Sequence, residues 1–223
     1  MSIHLFKHNQ QAYRAVTAML EKEKMAAVIH PTGTGKSLIA FKLAEENPSK
    51  HFLWLSPSEY IYQTQLEKLN MKFPNIQFMS YSRLMKNEDS IETLHLDYII
   101  LDEFHRCGAQ EWGRSVRKLL DTYPNAKRLG LSATNIRYLD NQRNMAEEIF
   151  DGKIASEMTL GEAIVREILP EPKYVIAMYS YQKELEQLKK RIRTLSNQGL
   201  ITENQKLLEQ LRRALEHADG LEL

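Results

Sequence analysis

A chain of 223 residues, 43% hydrophobic and 26% charged, is ordinary globular material that can bury a real core in one large domain, with or without a smaller appendage. A net charge of +1 argues against a strongly basic surface wrapping duplex DNA, yet leaves open phosphate contacts made by amides, hydroxyls and helix N-termini. One cysteine, Cys107, excludes an internal disulfide and a cysteine-based zinc site; with no apolar run of about 18 residues and no leader pattern, the expectation is a cytoplasmic protein without a membrane segment.

In chain order, residues 8 to 20 read as a helix with Ala12, Val16, Met19 and Leu20 on one face. Asn9, Gln10 and Gln11 stand at its start, where a glutamine is either a surface amide or a donor and acceptor for the edge of an adenine. Met25 to Ile29 is a short apolar run, and Leu38 to Glu46 is helix-like. Between them lies His30-Pro31-Thr32-Gly33-Thr34-Gly35-Lys36-Ser37, which in that setting is a phosphate loop. Gly33 and Gly35 remove the Cβ atoms that block an inward turn of backbone N–H groups, and the helix adds its positive end. Lys36 is the mobile point charge for the β and γ phosphates, and Ser37 the hydroxyl for Mg²⁺. The strict pattern opens on glycine; His30 stands there instead and reads as a strand-end residue rather than a base.

Residues 51 to 55 read as a second buried strand, ending in Ser56-Pro57-Ser58 and a helix over 59 to 70. Residues 76 to 79 form a third, followed by Ser80-Tyr81-Ser82-Arg83-Leu84. These hydroxyls and the arginine either cap helices or grip a phosphate backbone. The fourth strand, Tyr98 to Leu101, runs straight into Asp102-Glu103-Phe104-His105. Paired acids after a buried strand are costly unless a helix dipole or a cation meets them. A Mg²⁺ held by Ser37 and a nucleotide supplies that cation: Asp102 completes its shell through water, and Glu103 orients and deprotonates the attacking water. A fifth strand, Arg128 to Leu131, leads to Ser132-Ala133-Thr134. Strands alternating with helices imply a parallel α/β sheet covered on both faces, with the candidate residues at strand carboxyl ends.

Pro31 to Ser37, Asp102 to His105 and Ser132 to Thr134 together resemble the first, DEAH-box and S-A-T motifs of superfamily 2 ATP-dependent helicases and translocases, nearest in style to restriction-enzyme motor subunits. The resemblance covers roughly residues 5 to 170 and implies a RecA-like lobe binding ATP and Mg²⁺. It implies that Thr32, Gly33, Thr34, Gly35, Lys36 and Ser37 hold the nucleotide and that Gln10, with Asn9 as rival, reads the adenine. It further implies that Ser56, Pro57, Tyr81 and Ser82 touch a nucleic-acid strand, DNA favoured over RNA, and that His105, Ser132 and Thr134 couple the two sites. Phe104 replaces the usual alanine at a position that packs. Arginine fingers come from a second RecA-like lobe, and nothing after Thr134 resembles one: Gln205 and Arg212-Arg213 lie in a leucine-periodic helix. The chain therefore reads as a first lobe that binds nucleotide weakly and turns it over poorly until a second lobe, in cis or in trans, completes it. A nucleotide-gated binding scaffold is the alternative, and a small-molecule kinase is disfavoured by the Asp-Glu-x-His and Ser-Ala-Thr sets.

Residues 1 to 170 are the expected lobe, ending in a loop at 135 to 138, a helix over 141 to 150 and another starting at Thr159 with a capping-box spacing. Residues 171 to 223 are the expected extension: a strand over 173 to 181, then leucine-periodic helices broken at Asn197-Gln198-Gly199 that form a hairpin with Asn204 in its seam. Lys189, Lys190, Arg191 and Arg193 are either a solvated face or a contact for nucleic acid or a partner.

Overall fold

The computed structural model describes residues 2–87, 94–137, 142–171, 181–195 and 198–219. The expected strand over 173 to 181 lies outside the described residues apart from its last position. Two compact units are present, Met1–Glu171 and Pro172–Leu223.

In the first unit helices α1 (Lys7–Glu23), α2 (Lys36–Glu46), α3 (Glu59–Leu69), α4 (Tyr81–Lys86) and α5 (Gln110–Thr122) alternate with strands β1 (Met25–Ile29), β2 (Phe52–Ser56), β3 (Ile76–Ser80), β4 (Tyr98–Asp102) and β5 (Lys127–Ser132). A 3-10 turn, Phe104–Gly108, precedes α5. Then follow β6 (Ile136–Arg137), β7 (Arg143–Asn144), α6 (Met145–Phe150), β8 (Ile154–Glu157) and α7 (Leu160–Val165). The main sheet is parallel and six-stranded in the order β3-β2-β4-β5-β1-β8, the RecA-like arrangement.

The strands are continuous apolar runs because both faces are covered. Ala26, Val28, Trp54, Ile100 and Leu131 join the buried side of α1 and α2 on one face. Their neighbours Ala27, Ile29, Leu53, Leu55, Ile99 and Leu101 meet Phe104, Val116, Leu119 and Phe150 on the other. Phe104, the departure from the DEAH pattern, is fully buried with its ring edge-on to Phe150, centroids 5.1 Å apart.

Two expectations about the end of the lobe need correction. The helix expected over 141 to 150 begins only at Met145, because Arg143 and Asn144 pair with Arg137 and Ile136 and the Asn144 side chain then accepts from Ala146 N and Glu147 N as a cap. Within the expected loop at 135 to 138, Ile136 and Arg137 are the other half of that ribbon. Thr159 forms the capping box, its Oγ1 accepting from Glu162 N at 3.1 Å while Glu162 takes Thr159 N–H at 2.7 Å. This turn matters to the loop at β1, since Leu169 Cδ2, just after α7, would lie 3.2 Å from a Cβ on Gly33. Thr159→Ala is expected to lower the unfolding free energy by about 1 kcal/mol in urea denaturation.

The second unit is a helical pair, α8 (Tyr181–Thr194) and α9 (Gln198–Asp219). Leu185, Leu188 and Asn204 are its buried positions among the described side chains, and Asn204 Nδ2 donates to Leu200 O at 2.7 Å. Lys189, Lys190, Arg191 and Arg193 are exposed. No helix among the described residues is long and apolar enough to cross a membrane.

Candidate nucleotide site

The loop after β1 is anchored by His30 N, which donates to Ser132 O at 3.0 Å. Gly33 and Gly35 adopt φ of 92° and 82°, the left-handed region that glycine enters freely. A Cβ on Gly35 would also stand 2.9 Å from Asn9 Nδ2. Thr34 Oγ1 donates to Pro31 O at 2.8 Å, so this hydroxyl closes the loop on itself. Thr32 and Gly33 are exposed, and Ser37 is half-buried in the first turn of α2. The Lys36 ammonium folds back, donating to His30 O at 2.8 Å and Pro31 O at 3.3 Å. Burial lowers its pKa while the Glu103 and Asp102 charges work in the opposite direction. His30 is buried against Ser156, Nε2 to Oγ at 2.8 Å, and its Nδ1 has no partner. Burial, with His8 and Lys36 nearby, pushes its pKa down to about 4, so the ring is neutral at pH 7 and makes a strand-end packing group.

Asp102 ends β4 at 5% exposure, and burial together with the neighbouring Glu103 charge raises its pKa to about 7. Glu103 turns the chain through φ 52°, ψ 49°, a conformation that costs a non-glycine residue about 1 kcal/mol or more. Burial opposes its charge, but the His105 hydrogen bond and the Lys36 ammonium hold its carboxyl below the usual range. Its Oε2 lies 3.3 Å from His105 Nδ1 and accepts from Ser132 Oγ at 3.4 Å. His105 Nδ1 and Ser132 Oγ are 2.8 Å apart, and Ser132 Oγ also accepts from Thr134 N at 3.3 Å. Thr134 Oγ1 in turn accepts from Ile136 N at 3.1 Å. One hydrogen-bond chain thus runs from Glu103 through Ser132 and Thr134 into β6.

Lys36, Ser37, Asp102 and Glu103 line one cleft of about 470 Å³, walled on its far side by Ile61, Gln65 and Lys68 of α3. Ser56 Oγ and Gln65 Oε1 are buried without hydrogen-bond partners. The Trp54 indole also favours the charged Asp102, yet its N–H makes no hydrogen bond of ordinary geometry. The Ser37 hydroxyl, the buried Asp102 carboxylate and the orphaned Gln65 oxygen, all lining this cleft, are a hard-oxygen donor set, which suits hydrated Mg²⁺. In the sequence Gln65 is only one position of the helix over 59 to 70, and nothing in the spacing of that helix marks the residue as facing this cleft.

The residues proposed for the base and the strand are placed unevenly. Gln10 is exposed and its amide donates to Leu5 O at 2.9 Å. Its rival Asn9 is fully buried and donates to Thr34 O at 2.9 Å and Gly35 O at 3.3 Å. His8 Nε2 meets Thr34 O at 2.8 Å and its ring stacks on the exposed Phe6. The structure therefore brings His8 and Asn9, rather than Gln10, to the loop. The signal was in the helix phase: Asn9 lies three residues before Ala12 on the buried face.

Tyr81 requires a correction. Its ring is fully buried and its hydroxyl donates to Asp102 O at 2.8 Å, so the side chain braces the end of β4 and cannot touch a nucleic-acid strand. Ser56 is buried, whereas Pro57 and Ser82 are half-buried at the same edge. Ser80 caps α4, accepting from Arg83 N at 3.2 Å, while Ser58 stands at the start of α3 without a capping bond.

The family model described as Type III restriction enzyme, res subunit, matches residues 2–75 and 66–137. No curated protein sequence matches the chain. Among solved structures it is similar to the ATP-dependent Type ISP restriction-modification enzyme LlaBIII bound to DNA, with TM-score 0.58, 19% identity, and 77% of this chain and 16% of that one covered. The Sulfolobus solfataricus SWI2/SNF2 ATPase core in complex with dsDNA gives 0.56 and 14% identity, covering 93% and 58%. The Pyrococcus furiosus Hef helicase domain gives 0.54 and 16%, covering 85% and 48%. The chain therefore spans less than two thirds of each of these proteins, and at such identities the likeness is one of fold. With the family match running through residues 2 to 137, more than half of its length, the chain belongs to the Type III restriction enzyme res-subunit family, and its first unit has the RecA-like fold.

Proposed function

We propose that the chain is the ATP-binding first lobe of a nucleic-acid motor that acts on DNA when a second RecA-like lobe, in cis or in trans, completes it. The observation that carries this is the convergence of Lys36, Ser37, Asp102 and Glu103 on one cleft, with Glu103 wired to His105 and Ser132. DNA is favoured over RNA because LlaBIII and the SWI2/SNF2 core were solved on DNA. Pro57 and Ser82, half-buried at that edge, are the residues proposed for the strand, while Ser56 is as buried as Tyr81. The setting proposed is the cytoplasm, where the buried free thiol of Cys107 needs no partner.

Ser37 and Asp102 would hold Mg²⁺, which when bound neutralises phosphate charge. Lys36 exchanges its bonds to His30 O and Pro31 O for phosphate oxygens, an exchange that ties loop shape to occupancy. Glu103 takes the proton of the attacking water, its carboxylate kept ionised by His105 and Lys36. The chain from Glu103 through Ser132 to Thr134 carries the change at the carboxylate toward β6. Asn9 and His8 brace the phosphate loop through Thr34 O and Gly35 O, and Gln10 would offer its amide oxygen to the adenine edge.

The test is Mg-ATP binding and steady-state hydrolysis by the chain, with and without single- and double-stranded DNA, beside Lys36→Ala. The chain should bind nucleotide and turn it over slowly, because supplying an arginine finger is worth about 10³–10⁵ in rate. Lys36→Ala should weaken binding by about tenfold, or 1.4 kcal/mol. Equal affinity in the variant, or phosphate delivered to a small-molecule acceptor, would overturn the proposal.

A further inference from the structure

The amino edge of the sheet, away from the phosphate loop, carries a second group of side chains for which a nucleotide motor has no use. β2 and β4 are neighbours in register from Phe52 opposite Tyr98, and the residues leading into them are His51 and Asp97. Backbone bonds lock these lead-ins together: Asp97 N and Tyr98 N donate to His51 O at 2.9 and 3.1 Å. Asp97 Oδ2 accepts from His51 N at 2.9 Å and lies 3.5 Å from His51 Nδ1. His95, two residues before Asp97, adds a second imidazole, its centroid 5.3 Å from that of His51 and the planes at 77°. One ligand atom from each of the three lies within 4.8 Å of the others, the only such group among the described residues.

We propose that His51, His95 and Asp97 bind a borderline transition-metal dication of the Zn²⁺ or Co²⁺ class. Two imidazoles and a carboxylate are a nitrogen-rich set that Zn²⁺ accepts and that Mg²⁺ and Ca²⁺, which take oxygen, do not favour. Both histidines are exposed and open to an incoming ion, and a water completes a four-coordinate shell. Metal–ligand distances of about 2.0–2.2 Å require donor atoms roughly 3.4 Å apart; His51 Nδ1 and Asp97 Oδ2 are already at 3.5 Å, and the remaining closure of up to about 1.4 Å is within reach of rotation of the two exposed rings. Lys50 Nζ sits 3.0 Å from Asp97 Oδ1, so Oδ2 is the binding oxygen and the ammonium beside it limits the affinity. The five residues of β4 put the group about 17 Å from the Asp102 end of that strand. A metal here pins β2 to β4 at their amino ends and takes no part in phosphoryl chemistry.

The test uses the untagged chain at pH 7.5: Co²⁺ titration followed by visible absorption, then Zn²⁺ titration by calorimetry. One equivalent should bind, with the absorption bands of a low-coordinate Co²⁺ site that Zn²⁺ displaces. His95→Ala and His51→Ala should each weaken Zn²⁺ binding by about tenfold or more. Both replace exposed rings and should leave the far-ultraviolet circular dichroism unchanged. Lys50→Met, which removes the competing cation, should tighten binding, and nucleotide affinity should not move in any of the three. Absence of saturable one-to-one binding, or binding undiminished in both histidine variants, would overturn the site; the chain's other five histidines, which include His4, His8 and His105, would then account for any residual binding.

Discussion

Glu103→Gln is expected to lower Mg-ATP hydrolysis by about 10²- to 10⁴-fold with little change in nucleotide affinity. The amide has the shape of the carboxylate, so it can keep the contacts to Ser132 Oγ and His105 Nδ1 that hold the side chain in place. It fills the same left-handed backbone position, whose strain is borne by the surrounding β4 and 3-10 turn rather than by the carboxylate. What it loses is the ability to accept a proton from water. Single-turnover phosphate release, measured in whatever assembly gives the wild-type rate, separates this loss from weaker binding. A variant that hydrolyses within about threefold of wild type would remove Glu103 from the chemistry and leave the water to be activated by another group.

The sheet was legible because parallel strands buried on both faces must be short apolar runs, and five of them stand out, at 25–29, 51–55, 76–79, 98–101 and 128–131, each within a residue of the observed strand at either end. β8 was not. Ile154-Ala155-Ser156-Glu157 is a half-buried edge strand that pairs only with β1, through an irregular register, so it has no apolar signature. The phosphate loop and the paired acids were visible as local motifs, and the structure brings them to one cleft. The choice between Asn9 and Gln10 turned on helix phase, a difference of one residue in which amide faces inward. Tyr81 misled because a tyrosine after a strand looks alike whether its hydroxyl meets a partner molecule or, as here, the Asp102 carbonyl. Gln65 became visible only when the crossover from β2 to β3 carried α3 alongside the cleft.

The second large effect concerns the energy stored at Asp102. Its folded pKa of about 7 exceeds the ordinary 3.8, burial being the main cause and Glu103 the next. The folded acid therefore holds its proton more tightly than the unfolded one. Between about pH 4 and pH 7 unfolding releases that proton, so stability falls as the pH rises through this window and the full penalty is present above it. At 1.36 kcal/mol per unit of pKa, a rise of about three units is a penalty of about 4 kcal/mol. Asp102→Asn removes the charge and keeps the shape. In urea denaturation with EDTA and no nucleotide, the variant should be about 4 kcal/mol more stable than wild type at pH 8 and indistinguishable from it near pH 4. Equal stability at pH 8 would mean that water or Lys36 already compensates the carboxylate in the free protein. The predicted gain instead assigns that cost to the free protein, to be offset by the cation proposed for Asp102. A lobe built that way would be most stable with nucleotide and cation bound, which is the coupling that the proposed motor requires.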